Sequence, residues 1–128
     1  MQRDGAEDDG ARPMGSGAIM GWSVAKGDGR LVASATGRVD ETTWEDFSTN
    51  LNAAVGDAAA AGLPLVLDLS GVDYMSSRGL RALTLAKREA GEATAITLAA
   101  PNDRMREILA ISRYDKLFKV VDSVDADV

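Results

Sequence analysis

The stretch from Leu65 to Leu80 constrains the fold more than any other part of the chain. Leu65–Leu69 is a short apolar run bounded by turn-forming residues, the pattern of a strand at the centre of a sheet. Ser70–Tyr74 reads as a short polar turn. A pair of serines, Ser76 and Ser77, and then Gly79 stand where a helix should begin. Hydroxyls at a helix N-terminus lie beside unpaired backbone N–H groups and the positive end of the helix dipole. A phosphate placed there would be stabilised. Because the turn leaves a strand end, another protein can reach the serines. The stretch points to a serine phosphorylation switch on a small α/β domain.

The flanking sequence supplies the remaining elements. Trp22–Lys26 alternates as a first strand, Gly27-Asp28-Gly29 is a hairpin signal, and Arg30–Thr36 is the second strand. Gly37-Arg38-Val39-Asp40 leads into a helix over Thr42–Ala61, opened by a capping box of Thr42 and Glu45. Trp44, Phe47, Leu51, Val55 and Ala58 form its apolar stripe, and Gly62 and Pro64 stop it. A second helix spans Arg78–Ala90 with Leu80, Leu83 and Ala86 inward, and Gly91 ends it. Thr94–Ala99 is a fourth strand. Pro101-Asn102-Asp103 opens a helix over Asp103–Ser112 with Met105, Ile108 and Leu109 on one face, and Leu117–Val121 is the last strand. The order β-β-α-β-α-β-α-β implies an α/β domain whose mixed, largely parallel sheet is covered by helices. Leu31, Trp44, Phe47, Leu51, Leu65, Leu67, Leu69, Leu80, Leu83, Ile96, Leu98, Ile108 and Leu109 are the expected core. Residues 1–18 have no apolar period and read as a disordered leader, leaving residues 19–128 as the domain.

Composition removes several functions. With 14 basic and 20 acidic residues the net charge is −6, which argues against a general nucleic-acid binder. The chain has no histidine and no cysteine, so Ser-His or Cys-His nucleophile pairs and zinc sites built on these ligands cannot exist. No cofactor or metal is implied. No apolar run approaches the roughly 20 residues that span a bilayer. The acidic start, Met1 to Gly10, is not a secretory signal. The expected location is the cytoplasm, without membrane attachment.

The residues resemble the STAS domain, the fold of bacterial anti-sigma factor antagonists. The match lies in Leu67-Asp68-Leu69-Ser70-Gly71-Val72, followed by Tyr74-Met75-Ser76-Ser77-Arg78-Gly79-Leu80. Gly37-Arg38-Val39-Asp40, Pro101–Arg106 and Tyr114–Phe118 are similar to further family landmarks, in the right order. The resemblance implies that Ser77 is a phosphoacceptor. It implies a partner-binding face containing Asp40, Ser76, Ser77, Arg78 and Gly79. The partners implied are an anti-sigma factor with serine/threonine kinase activity and a phosphatase, with this chain a substrate and not an enzyme. Three residues depart from the family: Ser76 stands where aspartate is common, Arg78 replaces a small residue, and Arg113 takes a glycine's place. Only Asp122–Val128 is left for the family's final helix, which is expected to be short or missing.

Each feature also has a plainer reading. Ser76 and Ser77 can cap a helix, a role worth roughly 1 kcal/mol. Asp40 can be a turn residue, Arg78 a solvated charge or the counter-ion of a phosphate on Ser77. Asp68 can accept backbone hydrogen bonds. Competing functions are a receiver-like phosphoacceptor at Asp68, which needs acidic magnesium ligands that Trp22–Lys26 lacks; an enzyme using Asp40, Glu41, Asp68 or Asp73, for which no nucleophile–base pair is visible; and a STAS-type accessory subunit or small-ligand sensor with no phosphorylation.

Overall fold

The computed structural model describes residues 20–125; the expected leader, residues 1–18, lies outside them. The chain runs β1 (Gly21–Gly27), β2 (Arg30–Val39), α1 (Trp44–Ala61), β3 (Leu65–Met75), α2 (Ser77–Ala90), β4 (Ile96–Ala99), α3 (Asp103–Ile111), a one-turn α4 (Tyr114–Leu117) and β5 (Lys119–Val121). The five strands lie side by side in chain order. β1 and β2 form an antiparallel hairpin through Asp28 and Gly29, both at positive φ, as the tightest two-residue turns require. The other three pairings are parallel.

Parallel steps that all move the same way across a sheet, each through a right-handed crossover, put their helices on one face. The core shows this. Leu31, Ala33 and Ala35 of β2, Leu65, Leu67 and Leu69 of β3, and Leu98 of β4 pack in one cluster with Phe47, Leu51 and Val55 of α1, Leu83 and Ala86 of α2, and Met105 and Leu109 of α3. Trp22 of β1 meets Phe47 edge-on, ring centres 6.2 Å apart. Alternation turns Val32, Ser34, Val66 and Asp68 to the opposite face. There Asp68 accepts hydrogen bonds from the Ser70 amide (2.9 Å) and the Ser34 hydroxyl (3.3 Å), the structural role open to it in the sequence. No helix among the described residues is long and apolar enough to cross a membrane.

The elements match the expected order, with local differences. The supposed polar turn at Ser70–Tyr74 is strand: β3 continues to Met75, and the polar residues sit where its register against β2 slips, between Ser34 and Thr36 and between Gly37 and Arg38. Each slip inserts one extra residue into β3, which breaks the alternation that marks a strand. Tyr114–Leu117 is a helical turn, so the last strand begins at Lys119, and β4 begins at Ile96. Trp44, Leu80, Ile96 and Ile108 are half-buried at the core's margin, whereas the other expected core residues are buried. Residues 122–125 form no helix, and residues 126–128 lie outside the described residues.

Candidate functional site

The C-terminal ends of β2 and β3 and the N-terminus of α2 meet at one corner of the sheet. The Ser76 amide donates to the Val39 carbonyl at 2.7 Å, tying the start of α2 to the end of β2. Ser76 is the N-cap. It is 8% exposed, its backbone is extended, and its hydroxyl accepts from the Gly79 amide at 3.4 Å. Ser77 is the first helical residue and is exposed, and its hydroxyl makes no hydrogen bond with a described residue. The two serines therefore divide: one hydroxyl closes the helix, and its neighbour faces outward in the field of the helix dipole.

Gly79 is buried for a steric reason. A Cβ there would stand 2.5 Å from Met75 Cγ and 2.7 Å from Val39 Cγ1, so only glycine lets α2 sit this close to β2 and β3. Gly37 has φ 93° at the second register slip, which turns the end of β2 toward Asp40.

Asp40 builds the connection from β2 to α1. Its Oδ1 accepts from the Thr42 amide (2.9 Å) and the Thr42 hydroxyl (2.8 Å), and its carbonyl accepts from the amides of Thr43 and Trp44. The Thr42 hydroxyl, bonded to a carboxylate, is the first cause holding the Asp40 carboxyl below the usual carboxylate range. The Thr42 amide, Thr43 and the Arg38 charge add to it against a smaller opposing effect of burial. The expected capping box of Thr42 and Glu45 is not formed. α1 starts at Trp44, its N-cap is Thr43, and Thr42 is engaged by Asp40. The buried Thr43 hydroxyl donates to the Arg38 carbonyl at 2.7 Å and accepts from the Asp40 amide at 2.9 Å.

Arg78 is engaged by α1 and the turn before it and is not a free solvated charge. Its Nε lies 2.9 Å from Glu41 Oε2, and its guanidinium lies over the Trp44 ring, 5.4 Å from the centre. Trp44, Arg78, Arg81, Ala82 and Leu85 line a groove of about 280 Å³ between α1 and α2. At the same corner Tyr74 carries two guanidiniums, Arg38 at 4.6 Å and Arg104 at 5.6 Å from the ring centre. Sequence reasoning missed Glu41, Trp44 and Arg81 as the surroundings of Arg78, and Tyr74, Arg38 and Arg104 as a cluster. Only the fold brings them together. Arg113, noted in a glycine's place, adopts the glycine-like conformation itself, φ 65°.

At this corner the exposed Thr42 hydroxyl is engaged by Asp40, while the exposed Ser77 hydroxyl has no hydrogen-bond partner among the described residues. Asp40, Ser76, Ser77, Arg78 and Gly79 are all brought together here, Ser76 and Gly79 as buried supports, Asp40 half-buried in its turn, and Ser77 and Arg78 exposed.

A family model described as "Mlab, STAS domain" matches residues 22–122. The chain is 31% identical over 108 residues to BtrV of Bordetella bronchiseptica, a protein assigned to the anti-sigma factor antagonists, with 84% of this chain and 90% of that one covered. It superposes on the crystal structure of an anti-sigma factor antagonist from Mycobacterium paratuberculosis with a TM-score of 0.73 and 26% identity, covering 88% and 93% of the two chains. It shares the fold of the Bacillus cell fate determinant SpoIIAA in its phosphorylated form, with a TM-score of 0.54, 17% identity, and 78% and 90% coverage. A 70-residue stretch, 52% of this chain, is also 43% identical to part of a DNA ligase from Pseudomonas entomophila, but it spans 9% of that enzyme.

Proposed function

This chain belongs to the STAS domain family, and from that premise we propose that it is an anti-sigma factor antagonist switched by phosphorylation at Ser77. Unmodified, it binds an anti-sigma factor with serine/threonine kinase activity in the cytoplasm and frees the sigma factor. The Ser77 oxygen attacks the γ-phosphorus of the kinase's ATP; the new O–P bond forms as the bond to ADP breaks, and the hydroxyl proton passes to a base of the kinase. A phosphatase reverses the modification. The chain is a substrate and contacts no nucleic acid.

The observation that carries this reading is the division between the two serines. Ser77 is exposed at the first turn of α2, while Ser76 is buried and bonded. A phosphate adds about −1.5 to −2 charges and three acceptor oxygens. At a helix N-terminus this leaves the fold intact and changes only the docking face. A protein of the same fold has been solved in a phosphorylated form, which accords with that expectation.

The test is incubation with the cognate kinase and ATP, followed by mass-spectrometric site occupancy and complex formation. Ser77→Ala is expected to take up no phosphate and to keep binding, because it removes the acceptor without adding bulk. Ser77→Asp is expected to weaken binding, though less than phosphate does, since it carries one charge. Full modification of Ser77→Ala at Ser76 would mean the phosphoacceptor is the other serine. If wild type binds such a kinase and neither serine is ever modified, the non-phosphorylated accessory or ligand-sensing role replaces this one.

A further inference from the structure

We propose that Arg78 is a relay: a phosphate on Ser77 draws its guanidinium off Glu41 and Trp44 and so reshapes the groove between α1 and α2. The inference rests on Ser77 as phosphoacceptor and adds how the modification reaches a surface beyond the modified residue.

In the unmodified chain Arg78 is held by two weak attachments. Its ion pair with Glu41 is well exposed at both ends, with side chains 57% and 66% accessible, so water and salt screen it. Its contact with Trp44 is a stacked guanidinium. A phosphate on Ser77 carries more charge than the Glu41 carboxylate and offers three acceptor oxygens to a planar fork of donors. Arg81 stands four residues beyond Ser77 on the helix, hence on the same face, and pairs with no described residue. The phosphate would thus stand at the N-terminal end of the two arginines that line the groove, whose remaining lining is Trp44, Ala82 and the exposed Leu85. With Arg78 withdrawn, one face of the Trp44 ring loses its cover and the groove loses a wall.

Phosphoserine can be encoded at position 77 during translation, which makes the test independent of any kinase. The chain has two tryptophans, and Trp22→Phe leaves Trp44 as the reporter. Uncovering the ring face that Arg78 covers should raise acrylamide quenching of Trp44 on phosphorylation. In Arg78→Ala the quenching should already be high without phosphate and should not rise further. In the chain retaining both tryptophans, the Arg78 Nε–H and Trp44 indole N–H resonances should both shift on phosphorylation, which guards against a folding defect from Trp22→Phe. The relay is overturned if Trp44 quenching does not change with phosphoserine, or changes equally in Arg78→Ala. If phosphoserine abolishes partner binding without moving Arg78, the switch stands and the relay falls. If Arg78 moves but the kinase never modifies Ser77, the relay stands and the switch falls.

Discussion

At Asp40 one carboxylate organises the turn between β2 and α1 through Thr42, and its affinity for protons is lowered by doing so. A carboxyl whose folded-state pKa lies below its unfolded one adds stability above the usual carboxylate range and loses that contribution as pH falls through the folded value. Asp40→Asn keeps an oxygen acceptor for Thr42 but cannot titrate. Urea melts should therefore show wild type ahead of Asp40→Asn at neutral pH, with the gap closing as pH drops below the usual carboxylate range. A gap that does not depend on pH would mean that Asp40 stabilises through shape alone. The position of Ser77 was legible in the sequence because its chemistry is local: a serine pair followed by glycine at a helix start. The surroundings of Arg78 were not legible, since Glu41 and Trp44 reach it only after α1 has packed beside α2.

Among elements, the seat of α2 on the ends of β2 and β3 is the tightest fit. Gly79→Ala pushes a methyl against Met75 and Val39, both buried, and Val39 has too short a side chain to move aside. Overpacking of this kind costs about 1–3 kcal/mol, so the urea midpoint should fall. An unchanged midpoint would show that α2 can lift off β3 freely. The helices α1, α2 and α3 were legible to within two residues because apolar stripes and glycine stops are local signals. β3 was harder to read. Its bulges change the parity of the side chains, so Ser70 and Asp73 look like turn residues in a pattern that assumes strict alternation. The capping box failed for a related reason: Thr42 and Glu45 have the right spacing, but Asp40 engages Thr42 first. Tyr114–Leu117 is too short for a periodic signal, and its start is set by the left-handed backbone at Arg113.

At the scale of the whole molecule, protection should follow position in the sheet. β3 is paired on both sides over Leu65–Asp68, and Leu65, Val66 and Leu67 are wholly buried. β5 is a three-residue edge, and β1 is an exposed edge for most of its length. Amide hydrogen exchange should be slowest for Val66 and Leu67 and fastest, among hydrogen-bonded strand amides, in β5. Slower exchange in the β1–β2 hairpin than in β3 would place the stable nucleus elsewhere. The β-β-α-β-α-β-α-β order was legible because each helix pattern falls between two strand patterns, a sign of neighbouring parallel strands that does not depend on any single boundary.

Strand order that repeats chain order also bears on synthesis. Each strand pairs with the one made just before it, so a chain emerging from the ribosome never has to pry open an existing pair to admit a later segment. The sheet can grow one unit at a time from the hairpin, always with a single advancing edge. That edge is last presented by β4, whose Thr97–Ala99 backbone is covered by only three residues of β5. A nascent or clipped chain ending before Lys119 would carry this row of unpaired amides and carbonyls outward, where it could template self-association.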